Sequence, residues 1–270
     1  MLARATEGLK MHGAQNTFVL VDARVRAHDD YAGLARLVCA PGGGFDGADG
    51  LLVVDDAPEA FAQMRIFNAD GSEPEMCGNG VRCVARYLVD RGAAPAFTIA
   101  TLAGPIATEI VARDPFEARI DVGPVTFPHD ARSETIDALG AMWAFVAASL
   151  GNPHAVVFVD DVAAIDLDAL GRAFNAHARF PNGVNVHVAQ IVESESATLA
   201  VRHYERGVGR TQACGTGAVA CAAVAIATRE FASPVTVRVP GGTLHVAWRA
   251  GMTAQLTGPA EPLFTRLLPL

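Results

Sequence analysis

Lysine is almost missing from this chain of 270 residues: Lys10 is the only one, beside twenty arginines. A pyridoxal-phosphate enzyme needs a lysine for its Schiff base, so that cofactor would rest on Lys10 alone and is not expected. No C-x-x-C pair joins any of the five cysteines, Cys39, Cys77, Cys83, Cys214 and Cys221. The odd count and the missing pair speak against a disulfide framework, a thioredoxin-type motif and a zinc ribbon, and no metal is expected. Reduced thiols in a reducing compartment is the simplest reading. The glycine-rich run at 42–50 is not followed by G-K-[ST] and fits no dinucleotide fingerprint, so a flexible or substrate-covering loop is expected there. No basic patch with interleaved aromatics occurs, and the net charge of −8 argues against a nucleic-acid partner. The longest apolar run, 141–150, is too short to span a bilayer, and residues 1–10 lack the apolar core of a secretion signal. A chain 51% hydrophobic and 19% charged is expected to be soluble, cytoplasmic and globular, with one large domain or two of middling size.

What the chain does have is Ala213-Cys214-Gly215-Thr216-Gly217, followed by small apolar residues from 218 to 228. That run predicts a helix apolar on every side, hence buried. Cys214 would stand at its N-terminus, where bare amides and the positive dipole end favour a thiolate and a bound carboxylate. A lone cysteine on a core helix is most simply a packing residue. The chain, however, does the same thing twice.

Strands are expected at 17–22, 51–55 and 63–67, with a helix over 29–39. A turn-rich loop follows at 68–72, and Cys77-Gly78-Asn79-Gly80 opens a second helix that ends near Gly92. Further strands are expected at 97–101, 106–111 and 118–122, and Gly123-Pro124 is a plausible hinge. Beyond it Asn152 precedes a strand at 155–160, as Asn16 precedes the first one, and a helix at 166–178 answers the helix at 29–39. Asn16 to Cys77 is 61 positions and Asn152 to Cys214 is 62; Asn68 to Cys77 and Glu205 to Cys214 are both nine. Cys77 to Gly104 and Cys214 to Gly241, each closing a strand, are both 27. These intervals indicate an internal duplication of roughly 135 residues, too long a period for a solenoid. The expected fold is α/β (α+β): two pseudo-symmetric lobes, 1–122 and 123–259, each a mostly antiparallel or mixed sheet around a buried helix. The lobes are expected to face each other across a cleft, each delivering one helix-start cysteine.

Two opposed thiols suit inversion of a carbon that bears a hydrogen, because one group must remove a proton from one face while another delivers one to the opposite face. A thiol, with a reference pKa of about 8.5, serves both roles. Backbone N–H groups at Gly78, Asn79, Gly215 and Thr216 would stabilise the charge that grows beside a carboxylate.

Seven segments carry a resemblance. They are Met11-His12-Gly13 with Asn16; Phe67-Asn68-Ala69-Asp70-Gly71-Ser72 with Met76-Cys77-Gly78-Asn79-Gly80-Val81-Arg82-Cys83; Gly151-Asn152-Pro153-His154-Ala155; Phe180-Pro181 with Asn185-Val186; Glu205-Arg206-Gly207-Val208-Gly209; Ala213-Cys214-Gly215-Thr216-Gly217; and Gly258-Pro259-Ala260. In this order and over nearly the whole length, the chain resembles the diaminopimelate epimerase family. The resemblance implies cofactor-independent interconversion of LL- and meso-2,6-diaminopimelate, in lysine and peptidoglycan precursor biosynthesis. It implies a homodimer, and a tail at 260–270 returning to the first lobe. By motif, Cys77 and Cys214 match the acid–base pair, and His154 and Glu205 match residues that tune it. Asn16, Asn68, Asn152, Asn185, Glu205 and Arg206 match side chains that hold the substrate, and Gly78, Asn79, Gly215 and Thr216 the backbone cradle. Arg206 could grip the far carboxylate with two parallel hydrogen bonds.

The chain departs from the family pattern at several places. Gln15 stands for a glycine and Thr17 for an aspartate, both beside Asn16. The stretch 41–50 keeps only Gly47-Ala48-Asp49-Gly50, Arg210 stands at a position often glutamate, and Leu263-Phe264-Thr265-Arg266 also differs. These motivate a second reading, a racemase of the same fold acting on another amino acid. A third, a thiol redox or metal-binding protein, rests on the cysteines alone.

Overall fold

The computed structural model describes residues 7–268; the parts of the readings above that fall on 1–6 and 269–270 lie outside them. The chain forms two compact units, one built by the residues up to Ile120 together with those from Gly258 on, the other by Asp121–Thr257. The fold is mixed α+β, mostly sheet with four α-helices among the described residues.

The first unit contains β1 (Glu7–Gly13), β2 (Asn16–Asp22), α1 (Tyr31–Cys39), β3 (Gly50–Asp55), β4 (Ala62–Asn68), α2 (Gly78–Val89), β5 (Ala96–Thr101), β6 (Gly104–Arg113) and most of β7 (Phe116–Pro124). The second contains β8 (Ser133–Ala138), β9 (Ala141–Ser149), β10 (Pro153–Phe158), α3 (Leu167–Ala176), β11 (Asn185–Ile191), β12 (Thr198–Glu205), β13 (Gly209–Thr211), α4 (Gly215–Arg229), β14 (Val235–Val239), β15 (Gly242–Ala247) and most of β16 (Thr253–Pro259). The last strand, β17 (Glu261–Leu267), pairs with β1 and completes the first unit.

The first sheet runs β17-β1-β2-β3-β4-β5-β6-β7. The second runs β8-β9-β10-β11-β12-β14-β15-β16. In both, the pairs are antiparallel, antiparallel, parallel, antiparallel, parallel, antiparallel, antiparallel in that order. The registers agree as well. Phe18 lies opposite Gly50 on β2–β3, and His154 opposite Asn185 on β10–β11; Leu52 pairs with Ile66, and His187 with His203.

Each sheet wraps one helix. The side chains of α4 from Gly217 to Ala225 are all buried, because glycine and alanine let strands approach the helix on every side. Glu230, in the left-handed region at φ 57°, ends it and donates its N–H to Ala225 O. In α2 every residue from Asn79 to Val89 except Arg86 is buried, Arg82 included. The opposite faces of the sheets pack on α1 and α3. Val19, Val21, Leu51 and Val53 meet Leu34, Ala35 and Val38 of α1; Val157, Val186 and Val188 meet Leu167, Leu170 and Phe174 of α3. Strands covered on both faces read as unbroken apolar runs, which is why NTFVLVD and GLLVVD are legible.

Several expectations change in detail. The helix expected over 29–39 begins at Tyr31, with Asp30 as its cap accepting from Gly33 N at 2.7 Å. Asp166 likewise caps α3, which is shorter than 166–178, and the strand expected at 155–160 spans Pro153–Phe158. The run at 141–150, noted only for its apolarity, is strand β9. The glycine-rich run at 42–50 is pinned rather than free. Phe45 is fully buried, Lys10 Nζ donates to the carbonyls of Phe45 and Gly47, and Arg266 donates to Gly44 O. Among the described residues no helix is long and apolar enough to cross a membrane.

Candidate active site

In the first unit Cys77 is the N-cap of α2, in extended conformation at φ −143° and ψ 114°. The first intrahelical bond, Val81 N to Cys77 O at 2.9 Å, starts one turn in, so the amides ahead of it point out of the helix end. The half-buried Cys77 Sγ lies 3.8 Å from Asn16 Oδ1, which also accepts from Asn79 Nδ2 at 3.2 Å. Two charged groups hold this pair of amides. Asp49 Oδ2 accepts from Asn16 Nδ2 at 2.8 Å, and Arg82 Nη2 donates to Asn79 Oδ1 at 2.7 Å. A carboxylate can only accept and a guanidinium can only donate, so both amides have one orientation. The rest of the buried Arg82 guanidinium bonds to Pro259 O and Gly78 O. Asn68, at the exposed end of β4, donates to Ser72 Oγ at 2.9 Å, and Ser72 is held in turn by Asp70.

In the second unit Cys214 caps α4, also extended (φ −120°, ψ 112°), with Ala218 N to Cys214 O at 2.8 Å as the first helical bond. Its Sγ lies 3.6 Å from Thr216 Oγ1. Burial raises the Cys214 thiol well above its ordinary pKa, and the facing Glu205 carboxylate adds to this. The Thr216 hydroxyl and the Gly217 N–H pull the other way and do not prevail. The pull toward thiolate expected of a helix start is present, but desolvation and Glu205 outweigh it and favour the thiol at Cys214. Glu205, at the end of β12, also accepts from Thr211 Oγ1 at 2.6 Å. Burial likewise raises Cys39, to about 12, and keeps Cys83 and Cys221 protonated, so these three are packing residues.

Arg206 sits on the exposed hairpin between β12 and β13, where Gly207 and Gly209 supply φ 79° and 100°. Asn185 Oδ1 accepts from Arg206 N at 3.0 Å, and Arg206 Nη1 donates to Asn182 O at 2.9 Å. Asn185 Nδ2 also bonds Pro153 O at 3.0 Å. Asn185 thus fixes the arginine hairpin against β10, with one amide hydrogen still available. His154 is buried, with Nε2 2.9 Å from Asn152 Oδ1 and Nδ1 2.8 Å from His187 Nε2. Burial lowers its pKa to about 3, so it is neutral.

Three departures from the family pattern have local explanations. Ala14 and Gln15 form the two-residue β1–β2 turn with φ 52° and 61°, where glycine would avoid strain. Thr17 donates N–H and Oγ1 to Asp49 Oδ2, at 2.7 and 3.1 Å, and so joins Asn16 on one carboxylate. Arg210 pairs with Asp168 on α3 at 2.9 Å. Four residues that sequence reasoning did not place belong to these constellations: Asp49, Arg82, His187 and His203. Arg82 lies inside the matched segment around Cys77, and Asp49 in the short stretch that 41–50 keeps of the family pattern; the two histidines belong to no motif.

The diaminopimelate epimerase family profile matches residues 8–128 and 146–262. Diaminopimelate epimerase of Moorella thermoacetica is 40% identical, the match covering 97% of this chain and 99% of that protein. That of Carboxydothermus hydrogenoformans is 38% identical, over 96% and 97%. Among solved structures, a phenazine biosynthesis protein of the PhzF family from Bacillus anthracis superposes with a TM-score of 0.77 over 99% of this chain and 100% of that one. At 16% identity that likeness concerns the fold.

Proposed function

We propose that this chain, which belongs to the diaminopimelate epimerase family, inverts one α-carbon of 2,6-diaminopimelate by proton exchange with Cys77 and Cys214. It is an isomerase, interconverting the LL and meso forms in lysine biosynthesis. The observation that carries the two-thiol reading is the matched placement of the cysteines. Each is the cap of its unit's central helix, beside outward-pointing amides, at the same place in the same topology.

In the reaction a thiolate takes the α-proton and becomes a thiol, leaving an electron pair on the α-carbon beside the carboxylate. The other thiol gives its proton to the opposite face, the pair becomes the new C–H bond, and that sulfur is left as thiolate. Running the steps backwards exchanges the roles. Amides at Gly78, Asn79, Gly215 and Thr216 stabilise the charge on the carboxylate in the transition state. Asn16, Asn68, Asn152 and Asn185 hold the substrate, and Arg206 takes the far carboxylate. Glu205 keeps Cys214 protonated between turnovers, and His154 acts through Asn152. The chemistry calls for no cofactor. A cytoplasmic homodimer with this small amino acid as its only partner completes the reading.

Incubation with LL-diaminopimelate in D₂O tests it, followed by mass spectrometry and chiral separation. The expected result is α-deuterium in the meso product, with Cys77→Ala and Cys214→Ala each lowering turnover by a factor of about 10² or more. Near-normal turnover in either variant overturns the two-thiol scheme. Exchange on an amino acid with one carboxylate, and none on diaminopimelate, overturns the substrate.

A further inference from the structure

Beneath the start of α4 three histidines run in a line. From His154 the chain continues through His187 Nε2 at 2.8 Å, and His187 Nδ1 lies 2.9 Å from His203 Nδ1. All three are buried, and His203 Nε2 has no hydrogen-bond partner. The three side chains come from adjacent strands β10, β11 and β12, with His187 and His203 directly opposite each other. They press on the helix itself, since a Cβ on Gly217 would come within 2.5 Å of the His187 ring.

Packing does not require histidine here. The duplicated topology places Phe18, Leu52 and Ile66 at the same register positions of the first unit, all buried. A Cβ on the matching Gly80 would meet Leu52 Cδ2 at 2.8 Å, so the two sheets fill the same place under the same helix turn. Three hydrocarbons suffice in one unit, whereas the other buries three imidazoles and leaves one nitrogen unpartnered. Apolar replacements of buried polar groups are often neutral or stabilising, whereas a connected chain of hydrogen bonds fixes the orientation of the groups it joins.

Its direction follows from its closed end. A neutral imidazole has one N–H and one lone pair. Leaving a buried N–H without an acceptor is rarer than leaving an acceptor without a donor. His203 therefore carries its proton on Nδ1 and donates to His187 Nδ1. His187 then carries Nε2–H and donates to His154 Nδ1, and His154 donates from Nε2 to Asn152 Oδ1. With that oxygen occupied, the Asn152 amide keeps its NH₂ for an outside acceptor.

The geometry points to His187 and His203 as positioning residues that lock the His154 tautomer and so make Asn152 a dedicated donor to a carboxylate oxygen of the substrate. This rests on the reading of Asn152 as a substrate contact. Neither residue touches the reacting atoms.

The test exchanges the two histidines for the residues of the first unit, in the full-length chain. His187→Leu with His203→Ile is expected to fold with a melting temperature at or above the parent's. Its KM for LL-diaminopimelate should rise about tenfold, the worth of one well-aligned hydrogen bond, with a smaller change in kcat. Nitrogen-15 NMR of the unaltered protein, labelled at histidine, reads the tautomers without any variant and should show His154 protonated on Nε2 and His187 on Nε2. A His154 proton on Nδ1, or an unchanged KM in the folded double variant, overturns the proposal. Asn152→Ala separates the two layers. If it leaves KM unchanged, the substrate contact itself fails; if it raises KM while the double variant does not, only the histidine device fails.

Discussion

Two influences on one sulfur oppose each other at the start of α4. The helix end and the Thr216 hydroxyl favour the thiolate of Cys214, while burial and the Glu205 carboxylate favour the thiol and prevail. Glu205→Gln keeps the shape and the Thr211 contact but removes the negative charge, so the thiolate becomes easier to form and the thiol pKa falls. In a Cys77→Ser background, iodoacetamide should then alkylate Cys214 several-fold faster at pH 8, with peptide mapping to locate the label. Cys39, Cys83 and Cys221 are held protonated by burial and should stay silent in the same experiment. An unchanged rate would show that Glu205 does not govern this thiol.

At the scale of elements, the helices are placed by glycine as much as by apolar area. On α3, a Cβ added to Gly171 would lie 2.2 Å from Cγ of the Tyr204 ring, which is a contact no side-chain rotation on α3 can relieve. Tyr204 directly precedes Glu205, so the close approach of α3 also supports the end of β12 that carries the site. Gly171→Ala should destabilise the protein by about 1–3 kcal/mol through overpacking. Urea unfolding followed by circular dichroism checks this, and an unaltered midpoint would mean that β12 yields at little cost. Glycine within a helix reads in sequence only as a poor helix former; the ring that requires it lies 33 positions away.

For the molecule as a whole, the three buried histidines link stability to pH. His154 and His203 are lowered to about 3 by burial, and His187 well below its ordinary value. In the unfolded chain they take up protons near pH 6.5. Between pH 6.5 and about 3 the unfolded state therefore binds more protons, and the stability contributed by these groups is complete above 6.5 and lost as the pH falls. Urea midpoints at pH 7, 5 and 4 should decline, and decline less in the His187→Leu, His203→Ile variant. Equal slopes in the two proteins would show that other groups control the acid limb.

Much was legible in one dimension. The intervals between Asn16 and Cys77 and between Asn152 and Cys214 already implied two copies of one unit, because equal spacings return equal strands and helices to equal places. The cysteines announced themselves by their glycines, and the folded chain shows why two of these are needed: a Cβ on Gly80 would meet Leu52, and one on Gly217 the His187 ring. The strands β2 and β3 could be read from unbroken apolar runs, while β1, β11 and β12 carry charged or imidazole side chains that disturb the pattern. What depended on the folded chain was which side chains become partners. Asp49 meets Asn16 from 33 positions away, Arg82 turns inward to Asn79, Arg210 joins Asp168, and His187 meets His203 across β11–β12. The protonation of Cys214 was decided there too. A helix N-terminus is written in sequence, but the desolvation that outweighs it arises only when six strands close around α4.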